Sequence, residues 1–205
     1  MAKEKFYAVK KGKETGIFNN WKDCLESITG FTGAKYKSFI SREEAEAYLN
    51  DEDIVMKNDI IPRLNGGRVV AFTDGSYDDV VKAYGSGVLI FLPDGSNKEI
   101  SISGNDRDFV QERNIAGEVM AVLNAIDWAL NNGYDKITIF YDLQNIGGWA
   151  KDNWKTNTNC SKTFKKYLVE KKNFIDIEFV KVKGHSNNIY NNKADELAKS
   201  AIHKK

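Results

Sequence analysis

Four carboxylates and one imidazole stand where side chains of their kind do chemistry. Asp74 directly follows the apolar run Val69-Val70-Ala71-Phe72, in the tetrapeptide Thr73-Asp74-Gly75-Ser76. Asp142 directly follows Ile139-Phe140-Tyr141. Carboxylates at strand ends, beside a glycine or at a strand-to-helix junction, are where α/β sheets place ligand chemistry. Glu118 sits inside an otherwise apolar helical pattern, between Ala116-Gly117 and Val119-Met120, and Asp195 lies in Ala194-Asp195-Glu196-Leu197-Ala198. Brought together without basic partners, such groups repel unless a divalent cation neutralises them. A cluster of this kind holds two ions about 3.5–4 Å apart, one activating water beside a phosphodiester and the other stabilising the leaving oxygen. Taken singly, each acid reads as an exposed turn or helix-face residue, and spacing alone does not bring them together. His185 stands ten residues before Asp195 in a Gly- and Asn-rich loop, where a neutral imidazole takes or passes a proton.

The remaining composition narrows the metal and the setting. Cys24 and Cys160 are the only cysteines and His185 and His203 the only histidines, so a CxxC zinc site or a His-rich centre is excluded. Carboxylate ligands call for a hard ion, magnesium with manganese as its substitute. Apolar runs such as Val88-Leu89-Ile90-Phe91-Leu92 are far short of the roughly 20 residues that span a bilayer. The cluster Phe6-Tyr7-Ala8-Val9 is too short for a secretory signal. No membrane partner and a cytoplasmic location are therefore expected, with reduced thiols.

The elements that must position these acids follow from periodicity. In a first module, 1–50, short strands are predicted at Lys5–Val9, Ile17–Phe18 and Ala34–Phe39, with a helix from Trp21 to Ile28 capped by Asn20. Ser41 with Glu44 forms a capping box for a second helix through Leu49. Residues 51–67, with four acids, Pro62 and a Gly-Gly pair, read as a linker with a helical turn at its start. A second module, 68–205, opens with a strand at Val69–Phe72, then strands at Tyr84–Leu92 and Lys98–Ser103 around the turn Pro93-Asp94-Gly95. A helix carrying Ile115, Val119, Val122, Leu123, Ile126 and Leu130 follows. Beyond it come a strand at Lys136–Tyr141, two Lys-rich helical stretches, a strand at Phe174–Val182 and a closing helix from Asn191 to Ile202. Three strands followed by strand–helix alternation describe an α/β mixed sheet with helices on its faces.

In this order and near this spacing, Thr73-Asp74-Gly75-Ser76, Ala116-Gly117-Glu118, Tyr141-Asp142, Lys183-Gly184-His185-Ser186 and Ala194-Asp195-Glu196-Leu197-Ala198 resemble the motifs of type 1 ribonucleases H. The resemblance covers about residues 68–203. It implies a five-stranded mixed sheet flanked by helices, and endonucleolytic cleavage of the RNA strand of RNA–DNA hybrids to 5′-phosphate and 3′-hydroxyl ends. It makes Asp74, Glu118, Asp142 and Asp195 the ligands of two magnesium ions, and His185 a group for proton transfer or product release.

Choosing RNA over DNA requires contacts to the 2′-hydroxyl. Candidates are the Gly75-Ser76 turn, Asn114 and Gln144. Many relatives carry two adjacent polar residues and a basic one before the helix Glu, where this chain has Asn114-Ile115-Ala116-Gly117. For the DNA strand, Trp154 and Thr156 stand among Lys151, Lys155 and Lys162, an aromatic with hydroxyl and cationic neighbours. The adjacent Trp149 is readable either in the same way or as a pin between helix and sheet. A basic protrusion found in some relatives is shorter here by about ten residues, which weakens the intrinsic grip on a hybrid.

The first module is placed to supply that grip. Phe6-Tyr7-Ala8-Val9, Thr15-Gly16-Ile17-Phe18, Trp21, Cys24, Lys35-Tyr36-Lys37 and Phe39 resemble the hybrid-binding domain that precedes many cellular ribonucleases H. The resemblance assigns Tyr7, Trp21 and Tyr36 to deoxyribose stacking and Lys35 and Lys37 to the backbone, with double-stranded RNA as a weaker ligand. Phe6, Phe18 and Phe39 read as core. Net charge is only +1, yet residues 1–40 carry eight Lys against four acids and residues 151–172 seven Lys against two acids. Two basic segments on a near-neutral chain suit local contact with a polyanion. No obligate protein partner is evident. The alternatives are another carboxylate-dependent nuclease or polynucleotidyl transferase on the same sheet, and a binding protein with an inert nuclease-like domain.

Overall fold

The computed structural model describes residues 5–42, 45–46, 48–49, 56–182 and 188–203, and the chain divides into two compact units, 1–58 and 59–205. In the first unit, β1 (Phe6–Lys11), β2 (Gly16–Phe18), α1 (Trp21–Ile28) and β3 (Lys35–Phe39) form an antiparallel sheet of order β2-β1-β3 with a helix against it. Alternation along β1 decides which side is buried: Tyr7 and Val9 meet Cys24 and Ile28 of α1, while Ala8 is buried on the opposite face. Asn20 caps α1 as the sequence predicts, its Oδ1 accepting from the Asp23 N–H at 3.0 Å. Buried Ser27 accepts from the Glu14 N–H at 3.2 Å and donates to the Glu14 carbonyl, which folds the basic turn back onto the helix. Glu44 of the expected capping box lies outside the described residues, although Ala45 is buried and helical.

The second unit holds a five-stranded sheet of order β6-β5-β4-β7-β8, made of β4 (Val69–Asp78), β5 (Ala83–Phe91), β6 (Asn97–Gly104), β7 (Lys136–Tyr141) and β8 (Asp176–Lys181). β4, β5 and β6 form an antiparallel meander, whereas β7 joins β4 and β8 in parallel. One face, with Val69, Ala71, Val88, Ile90, Ile137 and Ile139, packs under α3 (Asn114–Asn131), α4 (Gln144–Ala150) and α5 (Asn159–Lys171). The other is covered by α6 (Ile189–His203), where Phe72 stacks on Phe140 at 4.7 Å and lies 5.3 Å from Tyr190. Cover on both faces explains why Val69–Phe72 is a continuous apolar run rather than an alternating one. Trp149 is 5% exposed with its ring 6.2 Å from Phe164, and so pins α4 into this core.

Two sequence expectations change. The linker expected over 51–67 does not extend to Gly67. A π turn (Met56–Ile60) and α2 (Ile61–Asn65) occupy its second half, and residues from Asp59 onward group with the second unit. Arg63 binds Glu178 through both Nε (3.1 Å) and Nη2 (3.2 Å), with its guanidinium 5.3 Å from the Phe140 ring centroid. Its partner lies 115 positions away, which no local composition discloses. Second, Gly75-Ser76 is not a turn: β4 runs on to Asp78, paired with β5 throughout. The apolar run stops at Phe72 because pairing with β7 stops there, at Phe72 opposite Phe140. Among the described residues no helix is long and apolar enough to cross a membrane.

Candidate active site

Register brings the first two acids together. Phe72 pairs with Phe140 in the parallel β4–β7 ladder, and two residues further along each chain stand Asp74 and Asp142. A period of two returns both to the same side. Glycines then let two helices close on the hairpin. A Cβ on Gly75 would collide with the backbone N of Glu118 and the carbonyl O of Asn114, so α3 lies directly on β4. A Cβ on Gly87, the partner of Asp74, would collide with the carbonyl O of Ala194, so α6 lies directly on β5 from the other face. Glu118 arrives by the first helix and Asp195, next to Ala194, by the second.

The result is a carboxylate cluster. Oxygens of Asp74, Glu118 and Asp142 all lie within 4.8 Å of one another. Glu118 is 2% exposed, and its Oε2 is buried without a hydrogen-bond partner among the described residues. Its Oε1 is 3.4 Å from the Thr73 hydroxyl, which is equally far from the Phe140 carbonyl. Asp142 Oδ2 is 3.5 Å from the amide nitrogen of Asn191. Asp195 lines the same cleft of about 340 Å³ with Asp74, Asp142, Asn114, Gln144 and Asn191. Its carboxylate is bonded to Lys199 one helical turn on, at 2.6 Å.

Electrostatics register the crowding. Burial, then the charge of Asp142, pushes Asp74 up to about 7, against the opposing N–H of Gly75 that donates to its Oδ1 at 2.7 Å. Burial, then Asp74 and Asp142, holds Glu118 well above the usual carboxylate range. A divalent ion removes both penalties at once: it supplies the partner that Glu118 Oε2 lacks and neutralises the mutual repulsion. All-oxygen donors fit a hard ion, and at the roughly 2.0–2.1 Å bonds of magnesium two ligand oxygens stand about 3–4 Å apart. The triad is therefore able to bind metal ions.

Comparison with known proteins fits this geometry. The family described as RNase H matches residues 66–203, and that described as Ribonuclease H1 N-terminal domain matches residues 5–49. The chain belongs to the ribonuclease H family. It is 23% identical to Ribonuclease H1 of Rattus norvegicus over 260 residues, covering 95% of this chain and 88% of that one, and equally similar to the Homo sapiens protein over 261 residues. Ribonuclease H of Saccharomyces cerevisiae is 52% identical over 44 residues, 22% of this chain and 13% of its own. Among solved structures, RNase H1 of the halophilic archaeon Halobacterium salinarum NRC-1 superposes with a TM-score of 0.56 at 23% identity, covering 67% of this chain and 98% of that one. LC11-RNase H1 in complex with an RNA/DNA hybrid superposes at 0.55 and 20% identity, over 66% and 97% of the two chains.

This ribonuclease H is thus a hydrolase of RNA in RNA–DNA hybrids, with a hybrid-binding domain ahead of the catalytic one. Of the residues singled out by sequence, Gly75, Asn114 and Gln144 border the same cleft as the acids. Ser76 lies next along β4. Trp154 is 43% exposed, its ring resting on Gly148, and Thr156 is half-buried nearby in the chain. In the first unit Trp21 links Tyr7 (5.4 Å between centroids) to Tyr36 (5.9 Å), while Lys35 and Lys37 are exposed on either side of Tyr36 along β3. His185 and the rest of 183–187 lie outside the described residues. Three residues escaped sequence reasoning: Thr73 under Glu118, Asn191 beside Asp142 and Lys199 on Asp195. Asn191 and Lys199 each stand four residues from Asp195, the one-turn spacing that puts side chains on a shared helix face, and that spacing was the available signal.

Proposed function

We propose that the enzyme cuts the RNA strand of hybrids internally by a two-metal-ion mechanism, leaving 5′-phosphate and 3′-hydroxyl ends. The observation that carries this is the triad of Asp74, Glu118 and Asp142 around a buried, partnerless Glu118 oxygen. When bound, magnesium, or manganese in its place, would supply water activation and charge compensation for the leaving oxygen. Asp74, Glu118 and Asp142 would hold the metal, with Asp195 as a further ligand from α6 once released by Lys199. Thr73 and Asn191 orient Glu118 and Asp142. His185 moves a proton or aids product departure.

Substrate choice falls to the rim. Asn114 and Gln144, each opening a helix at the cleft, read 2′-hydroxyls with the Gly75-Ser76 backbone. Trp154 and Thr156 hold the sugar–phosphate of the DNA strand. Tyr7, Trp21 and Tyr36 form a stacking surface flanked by Lys35 and Lys37, by which the first unit holds the hybrid and, more weakly, double-stranded RNA. The reading includes a cytoplasmic location, supported by two buried free thiols. The test is an internally labelled RNA–DNA hybrid with blocked ends, with and without magnesium. Internal RNA cuts that require the metal are expected. No cuts in the blocked hybrid, with degradation once its ends are freed, would replace the endonuclease reading with an exonuclease, and tight binding without cuts in either form would replace it with a binding protein.

A further inference from the structure

The segment between β6 and α3 is tied to the start of α5. Glu112 closes a 3-10 turn (Val110–Glu112), and its Oε1 accepts from the backbone N–H of Cys160 at 2.8 Å. Asn159 adds a second stitch, its amide donating to the Asp108 carbonyl at 3.2 Å. Cys160 is the second residue of α5, and first-turn N–H groups have no partner inside their own helix. Thr158 serves Ser161, at 3.3 Å, and Glu112 serves Cys160 from outside the helix. A carboxylate there also faces the positive end of the helix dipole. Cys160 is fully buried and Glu112 half-buried, so water competes little for this bond.

What stands on either side of the bond gives it meaning. Glu112 is followed by Arg113, whose φ of 55° and ψ of −126° turn the chain sharply into α3. The Arg113 carbonyl accepts from the Ala116 N–H at 3.1 Å, which starts the helix. The next residue is Asn114, in the cleft. On the other side, Cys160 lies six residues beyond Trp154 and four beyond Thr156. The Glu112 side chain, with the Asn159 amide beside it, thus joins the segment bearing the RNA-side contact to the segment bearing the DNA-side contacts.

We propose that Glu112 is a positioning residue that sets the separation of these two contact surfaces, so that both strands of a hybrid are engaged together. The proposal rests on the reading of Asn114, Trp154 and Thr156 given above. Loss of the tie leaves each contact and the carboxylates in place, so it acts on KM and spares kcat.

Steady-state cleavage by the full chain tests it. Glu112→Ala is expected to raise KM for the hybrid about fivefold, the scale of roughly one lost hydrogen bond, with kcat within about twofold. Glu112→Gln, whose amide oxygen still accepts, should restore most of the affinity. Tyr167→Phe removes a hydroxyl that donates to Asp127 of α3 at 2.5 Å; it loosens α5 without touching the tie and should leave KM unchanged. Trp154→Ala should raise KM in the wild-type background and add less when combined with Glu112→Ala, because contacts that act as a unit are not additive. An unchanged KM in Glu112→Ala alongside a raised KM in Trp154→Ala overturns the tie alone. An equal rise in Tyr167→Phe shows general loosening and also overturns it. An unchanged KM in Trp154→Ala removes the contact reading itself, and with it the proposal.

Discussion

The α-carbon of Gly75 faces the backbone nitrogen of Glu118 with no room for a side chain between them. This contact seats α3 against β4 at the level of the carboxylates, and it ties the rise of one helix to the register of one strand. Gly75→Ala should therefore do more than crowd the core. Overpacking of this kind costs about 1–3 kcal/mol, and it should also lift Glu118 away from Asp74 and Asp142. A melting point lowered by roughly 5 °C together with loss of magnesium binding by calorimetry is expected; unchanged binding would show that the helix has other means of seating Glu118.

Asp142→Asn tests the assignment most directly, since the amide keeps the shape and removes the charge. Cleavage should fall by on the order of a hundredfold or more, while the affinity for hybrid, measured by fluorescence anisotropy, is kept. Turnover at the wild-type rate would remove Asp142 from the mechanism.

Proton linkage gives a test without substrate. Asp74 is pushed from its ordinary 3.8 to about 7 by burial and the Asp142 charge, and Glu118 moves the same way. A carboxyl whose pKa is higher folded than unfolded binds its proton more tightly in the native state. Its contribution is present at low pH and is lost as pH rises from about 4 to about 7. With chelator present, the melting temperature should fall over that window from this source. Excess magnesium should reduce the fall, and magnesium affinity should itself rise with pH up to about 7 as bound protons cease to compete. A magnesium affinity independent of pH between 5 and 8 would contradict the buried triad.

Removing residues 1–58 cuts ahead of the point where the second unit begins. Because linked sites raise effective concentration, the truncated enzyme should show a KM for hybrid raised by about tenfold or more, with metal-dependent cleavage retained. The difference should shrink as salt increases, since lysine contacts to phosphate weaken. Equal affinity of the two forms across a salt series would deny the first unit its role.

Buried Thr73 offers a finer probe. Its hydroxyl is 3.4 Å from both Glu118 Oε1 and the Phe140 carbonyl, and one proton serves only one of them. Thr73→Val should leave Glu118 without that donor and raise its proton affinity further. Magnesium binding at pH 6 should weaken by several-fold while binding at pH 8 changes less; a uniform loss at both would mark a purely structural role.

The sequence by itself determined most of the strands and helices, the Ile61–Asn65 helix and the second half of β4 excepted, because periodicity, caps and turn residues act locally. It also determined the chemical type of the site: Asp74, Glu118, Asp142 and Asp195 stand in motifs whose order suffices to reveal the family. Tertiary structure decided matters that hang on distant partners. The register Phe72 to Phe140 places Asp74 beside Asp142, and the bare faces of Gly75 and Gly87 let two helices close in. Arg63 joins 59–67 to the catalytic unit through Glu178, which composition alone presented as tether. Asp195 is held by Lys199 rather than grouped with the triad, and Asn191 enters the site through a helix face. Local patterns report what a residue does to its neighbours in the chain; which side chains share a cleft depends on strand pairing and packing across tens of residues.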